Sequence, residues 1–281
     1  MLKIIKRRIA LNKKKRLDKI IESDDFPTLS TEKTEPPRFI ITLTSYGRRT
    51  AETAPYAIWS LFNQSVLPSK IVLYLDNENW NQNNIPHLLK KEMEHGLEIK
   101  FCKDIKSYKK LNFALEDFPS DVLITVDDDA YQPKDWFAKL IETHRQNPGK
   151  ICCHRAHIMH YGKTYNEWKW RPTSEDDPSR IFPTGVGGIL YPPNSLYTEH
   201  LTEAMNLAPT ADDIAYWALA KIKGTSHCLV ENGYFEVNQV NGFDEKDSLL
   251  TINKLQNAND LQINAILKRF AKELGLPITT T

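Results

Sequence analysis

Short apolar runs alternate with helix-period stretches through the first half of this chain. Arg38–Thr44, Lys70–Leu75, Leu97–Cys102 and Val122–Val126 read as strands, the last a continuous run suited to burial on both faces. Between them, residues 51–63 set Ala54, Ala57, Ile58, Leu61 and Phe62 on one helical face, and helices are predicted over 85–95 and 108–117. Strand–helix alternation every ~25–30 residues predicts right-handed βαβ units and a parallel, doubly wound sheet. Further on, Trp136, Phe137, Leu140 and Ile141 mark a helix over 134–146, stopped by Asn147-Pro-Gly149. Strands are predicted at 150–153 and 226–230, with helices opening at 209–213 and covering 257–273. Residues 154–183 are less regular and carry His154, His157, His160, Trp168 and Trp170. A stretch of that length in a compact domain points to binding rather than to an idle loop.

The polar residues that end the predicted strands form a second pattern. Ser45, Asp76, Asp104 and Asp127 fall at successive strand tips, which in an open α/β sheet share one crevice. The fourth strand ends in Asp127-Asp128-Asp129, adjacent carboxylates that repel and shift one another's pKa. Alternation along the chain sends Asp127 and Asp129 to one side and Asp128 to the other. A hard divalent cation carrying phosphates would relieve the repulsion, because Mg²⁺ and Mn²⁺ favour carboxylate and phosphate oxygens. A solvated acidic turn that caps the next helix is the competing account.

Composition narrows the class only a little. With 281 residues, 41% hydrophobic and 26% charged, the chain has ample material for a core. A net charge of +1 favours no nucleic-acid partner. Cys102, Cys152, Cys153 and Cys228 lack CxxC spacing, and are expected to be reduced, buried thiols of a cytoplasmic protein. No apolar run approaches the roughly 18 residues of a membrane span, and the charged first residues lack the core of a secretory signal. Residues 1–36 stand apart as a basic helix and linker: eight Lys or Arg and no acid fall between Met1 and Arg16, with Leu2, Ile5 and Ile9 as an apolar stripe. Such a segment suits an anionic membrane surface at residues 1–20, which would place the protein peripherally on the inner face of the cell membrane; a solvated, frayed helix is the alternative. A folded domain is expected over 37–255, followed by a C-terminal helix and tail at 256–281.

Several residues suit chemistry, each with a plainer structural account beside it. Tyr46 with Arg48 and Arg49 offers a stacking face and guanidinium groups for phosphate oxygens, or a solvated loop. Asp76 and Asp104 suit nucleoside N–H or ribose hydroxyl groups, or turns. Lys109 and Lys110 suit a diphosphate, or a solvated helix face. Gly185, Gly187 and Gly188 allow close backbone approach to a ligand, or a tight strand entry. Asp212 and Asp213 open a helix, where the dipole favours carboxylates and Thr210 with Asp213 resembles a capping arrangement. A carboxylate there also suits general-base activation of a sugar hydroxyl.

Thr42-Leu-Thr-Ser-Tyr-Gly-Arg-Arg49, Val126-Asp-Asp-Asp-Ala130, Thr184-Gly-Val-Gly-Gly-Ile-Leu190 and Ala211-Asp-Asp-Ile-Ala215 occur in this order over roughly residues 38–230. As a set they resemble a GT-A-type glycosyltransferase of the bacterial family 2-like kind, with some exostosin-like features. The resemblance implies a GT-A-like (Rossmann-type), mostly parallel central sheet flanked by helices in a single catalytic domain over 37–255, with a nucleotide-binding half at 37–130 and an acceptor half at 131–255. It implies a nucleotide-sugar donor, of the UDP-sugar kind, and a glycan or lipid-linked glycan acceptor in surface polysaccharide synthesis. Asp127 and Asp129 would be the DxD pair, with Mn²⁺ or Mg²⁺ held by Asp129, Asp127 and a late histidine, His227. Thr44, Tyr46, Arg48, Asp76, Asp104, Lys110 and Asp128 would contact the nucleotide, and Gly187 and Gly188 the donor sugar. Asp213, with Asp212, matches the acidic position used as base in inverting members; in a retaining member Asp213 would orient sugar instead. Trp168, Trp170 and Arg171 would line the acceptor site. A phosphohydrolase of the haloacid-dehalogenase kind would want an Asp-x-Asp-x-Thr loop, whereas Asp129 is followed by Ala130-Tyr131. A nucleotidyltransferase would want a glycine-rich loop after the first strand, where Thr44–Arg48 has one glycine. A non-catalytic carbohydrate-binding protein or scaffold would not need acids at both 127–129 and 212–213.

Overall fold

The computed structural model describes residues 2–30, 35–173, 175–241 and 257–276. Its elements follow in chain order. Helix α1 (Leu2–Glu22) leads to β1 (Phe39–Thr44), the short α2 (Arg49–Glu52), α3 (Ala54–Phe62) and β2 (Lys70–Asp76). Then come α4 (His87–Glu94), β3 (Leu97–Cys102), α5 (Lys109–Asp117), β4 (Val122–Thr125) and β5 (Ala130–Tyr131). The second half contains α6 (Trp136–Gln146), β6 (Ile151–Cys153), β7 (Ala156–Ile158), β8 (Lys169–Trp170), β9 (Ile181–Pro183) and β10 (Ile189–Tyr191). It ends with α7 (Leu201–Leu207), α8 (Asp212–Lys223), β11 (His227–Leu229), β12 (Asn238–Gln239) and α9 (Ala258–Arg269). The linker expected around residues 30–37 and the boundary expected at 255–256 fall partly or wholly outside the described residues.

Seven strands form the central sheet in the order β11-β6-β10-β4-β1-β2-β3. All neighbours run parallel except β10, which is antiparallel to both β4 and β6. Side chains alternate across this sheet with period two, and both faces are apolar. Ile40, Val72, Tyr74 and Leu123 pack on one side against Leu111 of α5, the 214–220 stretch of α8 and Ile266 of α9. Ile41, Leu43, Ile71, Leu73 and Ile124 pack on the other against Ile58 and Phe62 of α3, Leu89 of α4 and Phe137 and Leu140 of α6. Each of these fully buried side chains contributes about 1.5–3 kcal/mol of transfer free energy. The result is three layers, with the crevice at the carboxyl ends of β1, β3 and β4.

The irregular stretch 154–183 folds into a second sheet, β8-β7-β9, beside the first. Its strands are two or three residues long, too short to show a period in the sequence. A third pairing joins β12 to β5, and the Val240 N–H donates to the Asp129 carbonyl at 2.8 Å, so the 238–240 segment is tied to the acidic turn.

Helix α1 is part of this body. Its docking face is Ala10, Leu17 and Ile21, all buried, rather than the expected stripe, on which Ile9 is 62% exposed. Leu17 packs with Tyr56, Ala57, Tyr131 and Val240, and the Tyr56 hydroxyl donates to Asp18 at 2.7 Å. No helix among the described residues is long and apolar enough to cross a membrane.

Candidate active site

The carboxyl ends of β1, β3 and β4 open into a cleft of about 1070 Å³. At its floor lies the turn after β4. Asp128 turns inward and is buried, where the Ser45 hydroxyl and the Arg49 guanidinium (2.6 Å) donate to it. The same guanidinium reaches Asp129 at 2.5 Å, bridging the two acids. Burial works against the Arg49 cation, but Asp128 and Asp129 outweigh it and raise its pKa. Burial raises the pKa of Asp128, against the pull of Arg49 and Ser45. Asp127 faces the cleft and accepts from the Lys110 ammonium at 2.8 Å. Burial would raise the Asp127 pKa; Lys110, with Arg49 and Arg155 behind it, lowers it instead.

Lys110 joins this turn to a second acidic pair. It is buried at the start of α5, and its ammonium lies 3.2 Å from Asp212 in the first turn of α8. Asp127, Asp212 and Asp213 overcome the burial penalty on the lysine and raise its pKa well above the ordinary value. Asp213 leans the other way, into the cleft, and its carboxylate oxygens accept from the Gly185 N–H at 3.1 and 3.0 Å. Burial and then the negative neighbour Asp212 push the Asp213 pKa up to about 7, against Lys110 and the Gly185 N–H. A carboxylate that titrates near neutrality and opens on a cleft has the acidity of a general base. The expected Thr210–Asp213 capping does not form: Thr210 bonds with Gln262 of α9 instead, through its N–H at 2.9 Å and its hydroxyl. That leaves the Asp213 carboxylate available to Gly185 and the cleft.

Part of the cleft wall is aromatic. Trp170, His157, Tyr165 and Phe182, from β7–β9 and the turns between them, line it together with Phe235. Arg155 stands among them with its guanidinium 4.8 Å from the Trp170 ring, and donates to the Thr184 hydroxyl at 2.8 Å. At the mouth, α1 contributes Lys6, Ile9, Ala10 and Lys13, with the Lys13 ammonium 3.2 Å above the Tyr131 ring.

The residues expected at the site divide accordingly. Thr44, Tyr46, Asp104, Lys110, Asp127, Asp128, Asp129, Trp170, Arg171, Asp212 and Asp213 all line the cleft. Asp104 is paired with Lys109 at 2.6 Å, and Arg171 with Glu236. Six others lie elsewhere. Arg48 caps the turn into α2 and points to solvent, so Arg49, one residue on, is the arginine that reaches the acids. Asp76 is buried and accepts from the Asn79 N–H (2.8 Å) and side-chain amide (2.7 Å), a turn-closing role. Gly187 is needed for packing, since a Cβ there would lie 2.5 Å from the Arg155 Cβ. Gly188 has φ +83° and would put a Cβ 2.2 Å from Trp136 Cζ2. Gly185 is the glycine of the cluster that faces the cleft. Trp168 is core, packed edge-on to Phe182 at 5.2 Å. His227 is buried at the start of β11, where desolvation lowers its pKa to about 3. Arg155 and Tyr165 escaped the sequence reading, which named His157 only as part of the irregular stretch and read the α1 lysines as a surface for membrane rather than as part of the cleft. Only the length of 154–183 hinted at Arg155 and Tyr165.

Asp127 and Asp129 supply two cleft-facing carboxylates, but no set of three or more His, Cys, Asp or Glu able to hold a metal converges among the described residues. That donor set does not suit an all-protein cage. It does suit a Mg²⁺-like ion bound through one or two carboxylates and completed by substrate phosphates and water.

Residues 40–202 match the protein family described as Glycosyl transferase family 2. Among solved structures, the chain is similar to CMP:2-keto-3-deoxy-manno-octonic acid synthetase complexed with CTP, with 9% sequence identity and a TM-score of 0.44 over 79% of this chain and 98% of that one. So distant a likeness has no bearing on the chemistry of the cleft. No curated protein sequence matches the chain.

Proposed function

The chain belongs to glycosyl transferase family 2, and we propose that its cleft transfers a sugar from a UDP-sugar to a hydroxyl of a glycan or lipid-linked glycan. The observation that carries the reading is the joint presence on one cleft of the Asp127/Asp129 turn and of Asp213, linked by Lys110. Thr44, Tyr46 and Asp104 flank the turn and suit the nucleoside. Asp127 and Asp129 would hold a divalent cation, which supplies charge neutralisation to the diphosphate when bound. Lys110 and Arg49 add fixed positive charge beside it. Asp213 takes the proton of the acceptor hydroxyl as its oxygen attacks the anomeric carbon. The bond from that carbon to the phosphate oxygen breaks, and its electron pair leaves with the nucleoside diphosphate. Such a single displacement inverts the anomeric centre.

Calorimetry with UDP, with and without Mn²⁺, tests the donor half. Metal is expected to tighten UDP binding to the native protein by about tenfold or more, equivalent to about 1.4 kcal/mol, and Asp129→Ala is expected to lose most of that gain. Equal affinity in all four measurements would remove Asp129 from any metal role.

The outer face of α1 supports a membrane-borne acceptor. Arg7, Arg8, Lys15, Arg16 and Lys19 are exposed on it, with Leu11 also exposed, while Lys6, Ile9, Ala10 and Lys13 line the cleft mouth. Charge of this kind near an anionic leaflet contributes about 1 kcal/mol per residue. Sedimentation with phosphatidylserine vesicles is expected to fall sharply for the Arg7→Glu/Arg8→Glu/Arg16→Glu protein, which leaves the buried face intact. Unchanged sedimentation would dismiss the membrane contact.

A further inference from the structure

Three arginines line the cleft, and they differ in what they are bound to. Arg49 is engaged by Asp128 and Asp129, and Arg171 by Glu236. Arg155 makes no ion pair with any described residue, although it is half-buried among aromatic rings. Asp213 and Asp127 exert a field on it without standing at ion-pair distance. Removing a cation from water without giving it a counter-ion is costly, and the cost is recovered when a ligand brings the anion.

The group is also held ready. The Arg155 carbonyl accepts from the Thr184 N–H at 3.0 Å, and one side-chain N–H donates to the Thr184 hydroxyl. Its stem lies against Gly187, where any side chain would collide with it. Its guanidinium lies over the ring of Trp170, a residue 48% exposed. Of five N–H donors in a rigid fork, one has a hydrogen-bond partner among the described residues. A fork of this kind matches the geometry of a carboxylate or phosphate.

We propose that Arg155 receives an acidic group, a carboxylate or phosphate, carried by the acceptor sugar. The proposal rests on the glycosyltransferase reading for the word acceptor. The position of Arg155 argues for that source: it stands on the aromatic side with Trp170 and Tyr165, whose faces suit a sugar ring, and beside the carboxylate proposed as base. The donor's diphosphate, the other source of the same chemistry, would fall at the Asp127–Asp129 turn, where Lys110 and Arg49 already supply charge. An acidic sugar stacked on Trp170 with its anion in the Arg155 fork would present a ring hydroxyl toward Asp213.

The test compares p-nitrophenyl β-D-glucuronide, glucose 6-phosphate and p-nitrophenyl β-D-glucoside by saturation-transfer NMR titration. The native protein, Arg155→Lys and Arg155→Gln are each titrated, with UDP binding measured in parallel. The native protein is expected to bind at least one acidic ligand about ten- to a hundredfold more tightly than the neutral glucoside. Arg155→Gln is expected to erase that preference and Arg155→Lys to keep part of it, with UDP affinity and unfolding temperature near native. Equal binding of acidic and neutral ligands by the native protein, or a preference that survives in Arg155→Gln, overturns the proposal. A fall in UDP affinity without an acidic-sugar preference overturns it too and moves the anion to the donor. If UDP fails to bind the native protein while the Arg155-dependent acidic preference is present, the transferase reading falls and the anion site stands.

Discussion

Asp213→Asn is expected to leave UDP affinity within about threefold of native and to lower the rate of sugar transfer by about 10²–10⁴-fold, the range of a positioned general base. Asparagine preserves the shape and still accepts from the Gly185 N–H, so geometry is retained while the proton acceptor is lost. The native pH profile provides the second reading. Burial and the neighbouring Asp212 push the Asp213 pKa up to about 7, so the proposed base would be protonated below that value and able to take a proton above it. The transfer rate under kcat/KM conditions should therefore rise with pH to a plateau just above neutrality. That rising limb should vanish in the Asp213→Asn protein. A variant that turns over at the native rate, or that keeps the same limb, would assign the proton to another group.

Lys110→Met should produce the largest stability effect. Its ammonium is the buried positive charge shared by Asp127, Asp212 and Asp213. Removing one partner from a buried ionic cluster costs about 3–5 kcal/mol, because the charges left behind stay desolvated. For a chain of this size that corresponds to a fall of roughly 6–20 °C in unfolding temperature. The sign with pH follows from the acids. Without Lys110 their folded-state pKa values rise above the unfolded ones, so their stability contribution is complete below the unfolded pKa and is lost as pH climbs through the folded one. The deficit should be small near pH 5 and large near pH 8, read by thermal unfolding at both. Adding Asp212→Asn should recover part of it at pH 8. Equal loss at both pH values would mean that the lysine matters for packing alone.

The amino half of the fold was legible because its strands are long and buried. Ile40 to Leu43 and Ile71 to Leu75 leave no other reading, and helices α3 to α5 show a 3.6-residue face. Period anticipated that Asp128 is the most buried acid of the turn, but not that all three line the cleft or that Arg49 joins Asp128 to Asp129 while Asp127 pairs with Lys110. What failed was anything that depends on one residue of rotation. Arg48 and Arg49 are chemically alike, and only the start of α2 decides which reaches the acids. Gly185, Gly187 and Gly188 share a motif, but two of them make room for Arg155 and Trp136, and their partners lie 30 or more positions away in sequence. Trp168 and Trp170 would share a face on a regular strand; the chain enters β8 only at Lys169, so one is core and the other lines the cleft. The sheet that carries Arg155 and His157 exists through tertiary pairing and has no local signature.

The cleft draws its walls from residues far apart in sequence, from Lys6 on α1 to Asn259 on α9. A chain still emerging from the ribosome can pair β1 to β4 and bury most of one sheet face, yet it holds no complete substrate site until α1 has docked against the β5–β12 pairing and α9 has reached α8. Contacts of such wide sequence separation form late, because the loop closures they require must come first. Assembly of the cleft is therefore stepwise: the walls built on β1 to β4 can take shape early, while the walls from α1 and α9 join only after α9 has been made.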